Sequence, residues 1–409
     1  MHLSDLYFPV VGGAQTYIRT LSSEQARRGA EVHVVTISTT AQETQETEGS
    51  GVVIHRVAGA LSRAGIGLRS KSVPTHPPFP DPLLAKKIRA LVEDLRPEVI
   101  FAHNWIAESY LAIKRHTDPP LIYIQHDYSR SCAVKSALVS PSGDTCSGPG
   151  VIKCLLCAHS QYQGVRGPVV AAGLAINNAV YARKVDAWVA ISSAVKEFAN
   201  PRTRTKAVII PPCVPDDVDG LIQATPRPDY LPGDGGFIYF AGVLSAHKGL
   251  LDLLAAYELL GDEAPPLVVA GLPRSGAPTT WPSGVLVRES VAHEEVLAGF
   301  ARCAFGVVPS HNEPFGLTAV ECGAAGRAVI VAGAGGLLDI VEDGVNGLVV
   351  SPRDPGALAA AMKQLLGNPE EAARMGKVGR ERAKKLRAGV ITTTLDELCA
   401  RVLTDQHGK

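Results

Sequence analysis

Short β-branched and apolar runs alternate with amphipathic stretches along the chain, the pattern of α/β architecture built on parallel sheets. In the first half, the runs at 31–37, 51–57, 98–103, 120–125, 187–191 and 206–210 predict strands. Helical periodicity over 14–28 and 82–95 lies between them and stops at the breakers Gly29 and Pro97. Residues 59–80, rich in Gly, Pro and Ser, and the cysteine stretch 131–163 follow neither period and read as irregular. Periodicity lapses again over 211–236, where Pro, Asp and Gly accumulate. It then restarts, with strands expected at 236–241, 266–270, 285–288, 305–309, 328–331 and 347–350. Helices over 355–366, 369–383 and 392–403 close the chain.

At 409 residues the chain exceeds what one hydrophobic core usually supports. The pattern divides it into an N-terminal Rossmann-like domain, 1–210, carrying a cysteine-rich insertion at 131–163, a linker, 211–235, and a second Rossmann-like domain, 236–385. The remainder, 386–409, is a helix able to cross back to the first domain. Two doubly wound domains facing a deep cleft are expected, with ligands beyond the carboxyl ends of the strands.

Composition narrows the function. A zero net charge excludes an open nucleic-acid surface. Residues 1–220 carry 23 Lys and Arg against 19 Asp and Glu, compatible with peripheral membrane contact at most. No run approaches the roughly 18 apolar residues of a membrane span. The start, Met1 to Asp5, lacks the basic and apolar regions of a secretory signal, so a cytoplasmic protein is expected. No basic amphipathic helix of the membrane-surface kind stands out, which favours a soluble partner over a lipid one.

Four of the eight cysteines, Cys132, Cys146, Cys154 and Cys157, fall in one stretch, with His159 nearby. In a reducing compartment such clustering suggests metal before disulfides. Four thiolates would close a tetrahedral structural zinc site and pin a loop with little core of its own. The alternative is free or disulfide-linked cysteines in a surface loop.

The densest chemistry lies in Pro309-Ser310-His311-Asn312-Glu313-Pro314-Phe315-Gly316-Leu317, a strand end entering a helix that continues through Glu321. Gly316 permits close backbone approach, and the amides of a helix start face an anion. Glu313 and Glu321, so spaced, can grip different hydroxyls of one extended ligand. A second glycine turn, Gly333-Ala334-Gly335-Gly336, follows a buried strand, and a third, Gly242 to Gly249, carries Lys248.

In this order and spacing the motifs resemble retaining glycosyltransferase family four, nucleotide-sugar-dependent enzymes of the GT-B fold. The E-x7-E pair is Glu313 and Glu321; the lysine-glycine turn is Lys248-Gly249. The similarity reaches the N-terminal Gly12-Gly13 loop, the Ile191–Val195 segment and the Ile209–Val214 linker, leaving out the cysteine insertion. It implies that Glu321 binds the donor ribose, Glu313 the donor sugar, and Lys248 the diphosphate. It further implies that the amides of Phe315, Gly316 and Leu317 hold the distal phosphate and the main chain near Arg288 meets the base. Gly12 and Gly13 would face the phosphate and acceptor, and His126, followed by Asp127, would contact the sugar. The implied reaction moves a sugar from a nucleotide diphosphate donor, most often a UDP-sugar, to a hydroxyl of a glycan, a lipid-linked acceptor or a small molecule. By resemblance it retains configuration through front-face attack and requires no metal or other cofactor.

One departure stands out. The family has an arginine before the lysine turn, where this chain has Val243, and Asp339 stands where the family often has Glu. Val243 leaves open a noncatalytic or regulatory GT-B relative, against which stand Glu313, Glu321, Lys248 and His126 together. A nicotinamide oxidoreductase is disfavoured because the glycine pattern at Gly333 and Gly335 fails at Leu338.

Overall fold

The computed structural model describes residues 1–10, 12–38, 42–60, 76–162, 166–274 and 277–407. Most of the irregular stretch expected over 59–80 lies outside the described residues, as do Val11 and Gln163. Contacts divide the chain into two units: Met1–Pro211 together with the segment from Ala388 onward, and Pro212–Arg387.

The first unit is built on eight strands: β1 (His2–Ser4), β2 (His33–Ile37), β3 (Thr44–Thr47), β4 (Val53–Val57), β5 (Ile100–His103), β6 (Leu121–Gln125), β7 (Ala187–Ala190) and β8 (Ala207–Ile209). Their order in the sheet is β3-β4-β2-β1-β5-β6-β7-β8. Only β3 runs antiparallel to its neighbour. Every residue of β2, β5 and β6 is buried, as apolar strands covered on both faces should be. Two strands give no periodic signal in sequence. β1 is only three residues long, and β3 is four exposed polar residues held at the sheet edge by ladder bonds to β4.

Helices α1 (Gly13–Arg27), α2 (Pro82–Leu95) and α3 (Ala107–Ile113) cross between strands. Asp81 caps α2, its carboxylate accepting from the Leu83 and Leu84 amides with Pro82 at the first helical position. The stretch 131–163, expected to be irregular, instead contains a helix, α4 (Val151–Tyr162), followed by α5 (Arg166–Val180). The cause is local: the run from Val151 to Ala158 is composed largely of apolar side chains, and Gly167 lets α5 close against it. A Cβ at Gly167 would stand 2.0 Å from the Ala158 carbonyl oxygen.

The second unit has six parallel strands: β9 (Ile238–Ala241), β10 (Leu267–Ala270), β11 (Val285–Arg288), β12 (Phe305–Val308), β13 (Val329–Ala332) and β14 (Gly347–Val350). Their order is β11-β10-β9-β12-β13-β14. Alternate residues of β9 feed separate cores. Ile238 and Phe240 pack with α6 (Leu250–Glu258) and α9 (Pro355–Gly367). Phe237 and Tyr239 pack with Phe300 of α7 (His293–Arg302) and Cys322 of α8 (Leu317–Ala324). Helix α10 (Pro369–Ala383) completes the unit. The closing helix, α11 (Ala388–His407), belongs to the first unit, where Arg28 donates to Asp396 at 3.1 Å.

In both sheets the chain first builds outward on one side of a central strand and then crosses to the other. The reversal falls between β1 and β5 in one unit and between β9 and β12 in the other. Such switch points leave a crevice at the strand ends, where α/β proteins bind ligands.

One buried ion pair ties the first unit together. Glu108 of α3 accepts from Arg130, both fully enclosed, and the guanidinium lies 5.2 Å from the Tyr123 ring and 5.3 Å from that of Trp188. Burial raises the Glu108 carboxyl, and Arg130 opposes that rise. Removing one partner strands a charge in the core, so Arg130→Met should cost about 3–5 kcal/mol in urea denaturation. The double variant Glu108→Leu/Arg130→Met should recover most of that loss. A loss in the double variant equal to the sum of the two single-variant losses would show that the pair has no such coupling.

Candidate active site

In the second unit, three glycine turns interlock at the β9/β12 switch point. The turn after β9 reaches Gly249 at φ 71°, where a Cβ would lie 1.9 Å from the Pro309 carbonyl oxygen. The turn after β13 passes Gly335 at φ 63°, where a Cβ would lie 2.1 Å from the Glu313 carbonyl oxygen. The Gly336 amide donates to that same oxygen at 2.7 Å, and the His311 amide donates to His247 O at 3.0 Å. The loop 309–316 is thus clamped from both sides by backbone that tolerates no side chain.

The clamp brings two of the expected residues together. Lys248 Nζ donates to Glu313 Oε2 at 2.5 Å, and Ser310 Oγ donates to the same oxygen at 3.1 Å. The loop leads through buried Phe315 and Gly316, at φ 110°, into α8 at Leu317. Gly316 has no side chain to cap the helix, so the first amides of α8 open onto the loop. The pair of opposite charges and the helix start form a small site suited to an anion and to hydroxyl groups.

Glu321 sits one turn further along α8, nearly buried, and accepts from His293 Nε2 at 2.7 Å. Burial works against a charge on His293, but the Glu321 carboxylate outweighs it and the imidazole is raised above its ordinary value. Arg288 ends β11, two strands from β9 in the same sheet, with its guanidinium 5.5 Å from the Tyr230 ring. Its carbonyl accepts from the Gly271 amide at 2.9 Å. Asp339 closes the short turn Gly335–Asp339. Sequence reasoning missed His293 and also Ser245, in the turn that leads to Lys248, whose buried Oγ has no hydrogen-bond partner among the described residues.

In the first unit, Gly12 is extended and Gly13 opens α1, while His126 follows β6. His126 does not stand alone. Gln25 Oε1 meets His2 Nε2 at 2.7 Å, His2 Nδ1 meets His103 Nε2 at 3.0 Å, and His103 Nδ1 meets His126 Nε2 at 2.7 Å. Burial lowers His2 to about 3 and His126 to about 4, and His103 well below its usual value, so all three rings are neutral at pH 7. A neutral imidazole has one donor and one acceptor nitrogen. Because the Gln25 oxygen only accepts, every ring must donate from Nε2, and His126 keeps its lone pair on Nδ1. Asp5, at the end of β1, accepts from the Ile106 amide at 2.6 Å and is raised to about 7 by burial. Asp127 caps the following turn, accepting from the Ser129 amide at 2.8 Å. The partners of His126 escape a linear reading because His2 and His103 lie on separate strands; two strand-end histidines, His103 and His126, were the available signal.

The four clustered cysteines are not gathered into one site. None of the eight cysteines is paired in a disulfide, and no group of three or more His, Cys, Asp or Glu among the described residues could hold a metal ion. The sulfurs meet backbone instead. Cys157 Sγ accepts from the Ser140 amide at 3.2 Å, Cys154 Sγ from the Gly150 amide at 3.3 Å, and Cys146 Sγ donates to Gly148 O at 3.4 Å. Cys132 is buried, which pushes its thiol up to about 11. Neither zinc nor a disulfide is supported by this arrangement. A cavity of about 570 Å³ in the second unit, bordered by Gly235, Arg327 and Arg380, contains none of the motif residues.

Comparisons with known proteins agree with this architecture. Residues 11–218 match the family described as Glycosyltransferase Family 4, and residues 223–382 match Glycosyl transferases group 1. A D-inositol 3-phosphate glycosyltransferase of Xylanimonas cellulosilytica is 30% identical over 406 residues, covering 91% of this chain and 88% of the relative. Among solved structures, sucrose-phosphate synthase from Thermosynechococcus elongatus superposes with a TM-score of 0.74 at 19% identity, over 99% of both chains. Anabaena HepE, solved in complex with UDP-glucose, gives 0.62 at 17% identity, over 98% of this chain and 99% of its own. The chain is a glycosyltransferase of the GT-B fold and belongs to glycosyltransferase family 4.

The histidine chain makes a spectroscopic prediction. Long-range ¹H–¹⁵N correlation at pH 7 should show His126 protonated on Nε2 and bare on Nδ1, and Gln25→Leu should turn this single tautomer into a mixture. A proton on Nδ1 of the wild-type ring would refute the assignment.

Proposed function

We propose that the protein transfers a sugar, with retention of configuration, from a UDP-sugar to a hydroxyl of a carbohydrate, a lipid-linked acceptor or a small molecule. The 2.5 Å contact between Lys248 and Glu313 at the mouth of α8 carries this reading. Without donor, each charge neutralises the other. A donor diphosphate offers Lys248 a stronger partner and releases Glu313 to accept from the hydroxyls of the sugar. Lys248 and the α8 amides then stabilise the charge that develops on the leaving diphosphate, a preorganised electrostatic role that a divalent cation fills in other enzymes. Glu321, which accepts from His293 at 2.7 Å, would accept from the ribose hydroxyls. Front-face attack fits because the departing phosphate oxygen can take the acceptor proton. His126, with Nδ1 as an acceptor, is suited to a sugar hydroxyl.

Support for the nucleotide comes from HepE, which shares the fold and was solved with UDP-glucose. At the place of the absent family arginine, Val243 leaves Lys248 without that helper. The loop that pairs with this turn carries Arg274, whose amide donates to Leu244 O at 3.1 Å.

Isothermal titration with UDP and with UDP-sugars, alongside steady-state transfer, tests these roles. Glu321→Ala should weaken nucleotide binding by on the order of 10-fold or more, the loss of a charge-assisted hydrogen bond. Glu313→Ala should lower turnover more than donor affinity. Lys248→Ala should cost on the order of 10²-fold in kcat, and chelator should leave transfer by the wild type unchanged. Wild-type rates in all three variants would overturn the donor site, and a change below a few-fold for Lys248→Ala alone would assign the diphosphate to another cation.

A further inference from the structure

Helices α4 and α5 of the cysteine-rich insertion turn one side to their domain. Ala158, Val170 and Leu174 pack with Trp105 and Ala133. Gly167 admits Ala158, and Gly173 lies against the Phe79 ring, where a Cβ would come within 2.4 Å. The opposite side is apolar as well. On α4, Val151, Ile152 and Leu156 are 81%, 74% and 66% exposed, and on α5, Val169, Ile176 and Val180 are more than half exposed. Six of the fourteen exposed large hydrophobic side chains among the described residues lie on this one helix pair. The spacing of Val169, Ala172, Ile176, Ala179 and Val180 makes them an outward stripe along α5, all exposed. An amphipathic surface helix normally presents polar residues to water; here the solvent side carries large apolar side chains as well.

Charge selects the partner. From Cys146 through Val185 the chain has Lys153, Arg166, Arg183 and Lys184 and no Asp or Glu, although its totals are 40 basic and 40 acidic residues. Arg166 and Arg183 are exposed and flank the α5 stripe, and Lys153 follows Ile152, reaching Ser147 Oγ at 3.1 Å. A second copy seated on this face by a two-fold axis would bring the same cations together. A surface of lipid phosphates meets them with the opposite charge while the apolar side chains enter the boundary of the acyl chains. Among the described residues no helix is long and apolar enough to cross a membrane, so the contact is interfacial.

We propose that α4 and α5 form a membrane-docking face for an anionic bilayer. The insertion thereby has a role apart from metal binding, and the sequence-based preference for a soluble acceptor loses its ground. Docking would carry the histidine-bearing unit to a lipid surface, where a lipid-linked acceptor is presented.

Co-sedimentation of the full chain with vesicles of phosphatidylglycerol and phosphatidylcholine in equal parts, compared with phosphatidylcholine alone, is the test. It uses no donor, so its failure leaves the transfer reading untouched. Wild type should pellet with the anionic vesicles and lose that binding at high salt. Arg166→Gln/Arg183→Gln should lower partitioning about five-fold per charge removed. Ile152→Ser/Leu156→Ser/Ile176→Ser should lower it by on the order of 10²-fold. Because these positions are exposed, the melting temperature should not fall. The proposal fails if wild type ignores anionic vesicles or if neither variant changes binding. It also fails if the serine variant instead dissolves a dimer seen by sedimentation equilibrium, which would assign the face to a second copy.

Discussion

The site in the second unit depends on backbone meeting backbone where no side chain fits. Gly249 against the Pro309 carbonyl and Gly335 against the Glu313 carbonyl fix the 309–316 loop between two strand-end turns. Lys248 is the residue immediately before Gly249, so the turn that excludes a Cβ also delivers the ammonium to Glu313. Both glycines hold positive φ, which other residues adopt only with strain. The charge pair, the opening of α8 and the position of Glu321 all follow from that clamp. In the proposed reaction the clamp holds the backbone of this site fixed, so that only the Lys248 and Glu313 side chains exchange partners at a leaving diphosphate.

The first unit meets the same problem with side chains. Its chain of neutral imidazoles starts at Gln25 on α1, crosses β1 and β5, and ends on His126 beyond β6. Burial keeps the rings uncharged, and one amide oxygen sets the direction of every hydrogen bond in the chain. Directionality, rather than charge, is what the chain delivers to His126. Nearby, the enclosed Glu108–Arg130 pair holds the segment after His126 against α3, so the unit contains both a neutral and an ionic buried network.

Much of this was legible in the sequence where periodicity or a motif is local. The buried strands of the second unit, the Glu313 and Glu321 spacing and the Lys248-Gly249 turn could be read directly, because each is set by residues close together in the chain. Three features could not. β3 is polar and exposed, so its strand character comes from pairing with β4. His2, Gln25 and His103 join His126 only through the parallel sheet. The α4–α5 pair was hidden by Gly, Pro and Cys around it, and the helical spacing of its outward stripe has meaning only once its inward face is known. Cysteine spacing suggested a metal site, yet the helix and turns that separate these residues direct each sulfur to nearby backbone.

The claim that Lys248 changes partners, from Glu313 to a diphosphate, is tested most directly by a crystal structure of the protein soaked with a non-hydrolysable UDP-sugar. The account predicts the diphosphate at the first amides of α8, with Lys248 Nζ about 2.7–2.9 Å from a phosphate oxygen and Glu313 turned to the sugar hydroxyls. A nucleotide bound elsewhere, with the Lys248–Glu313 contact intact, would contradict it.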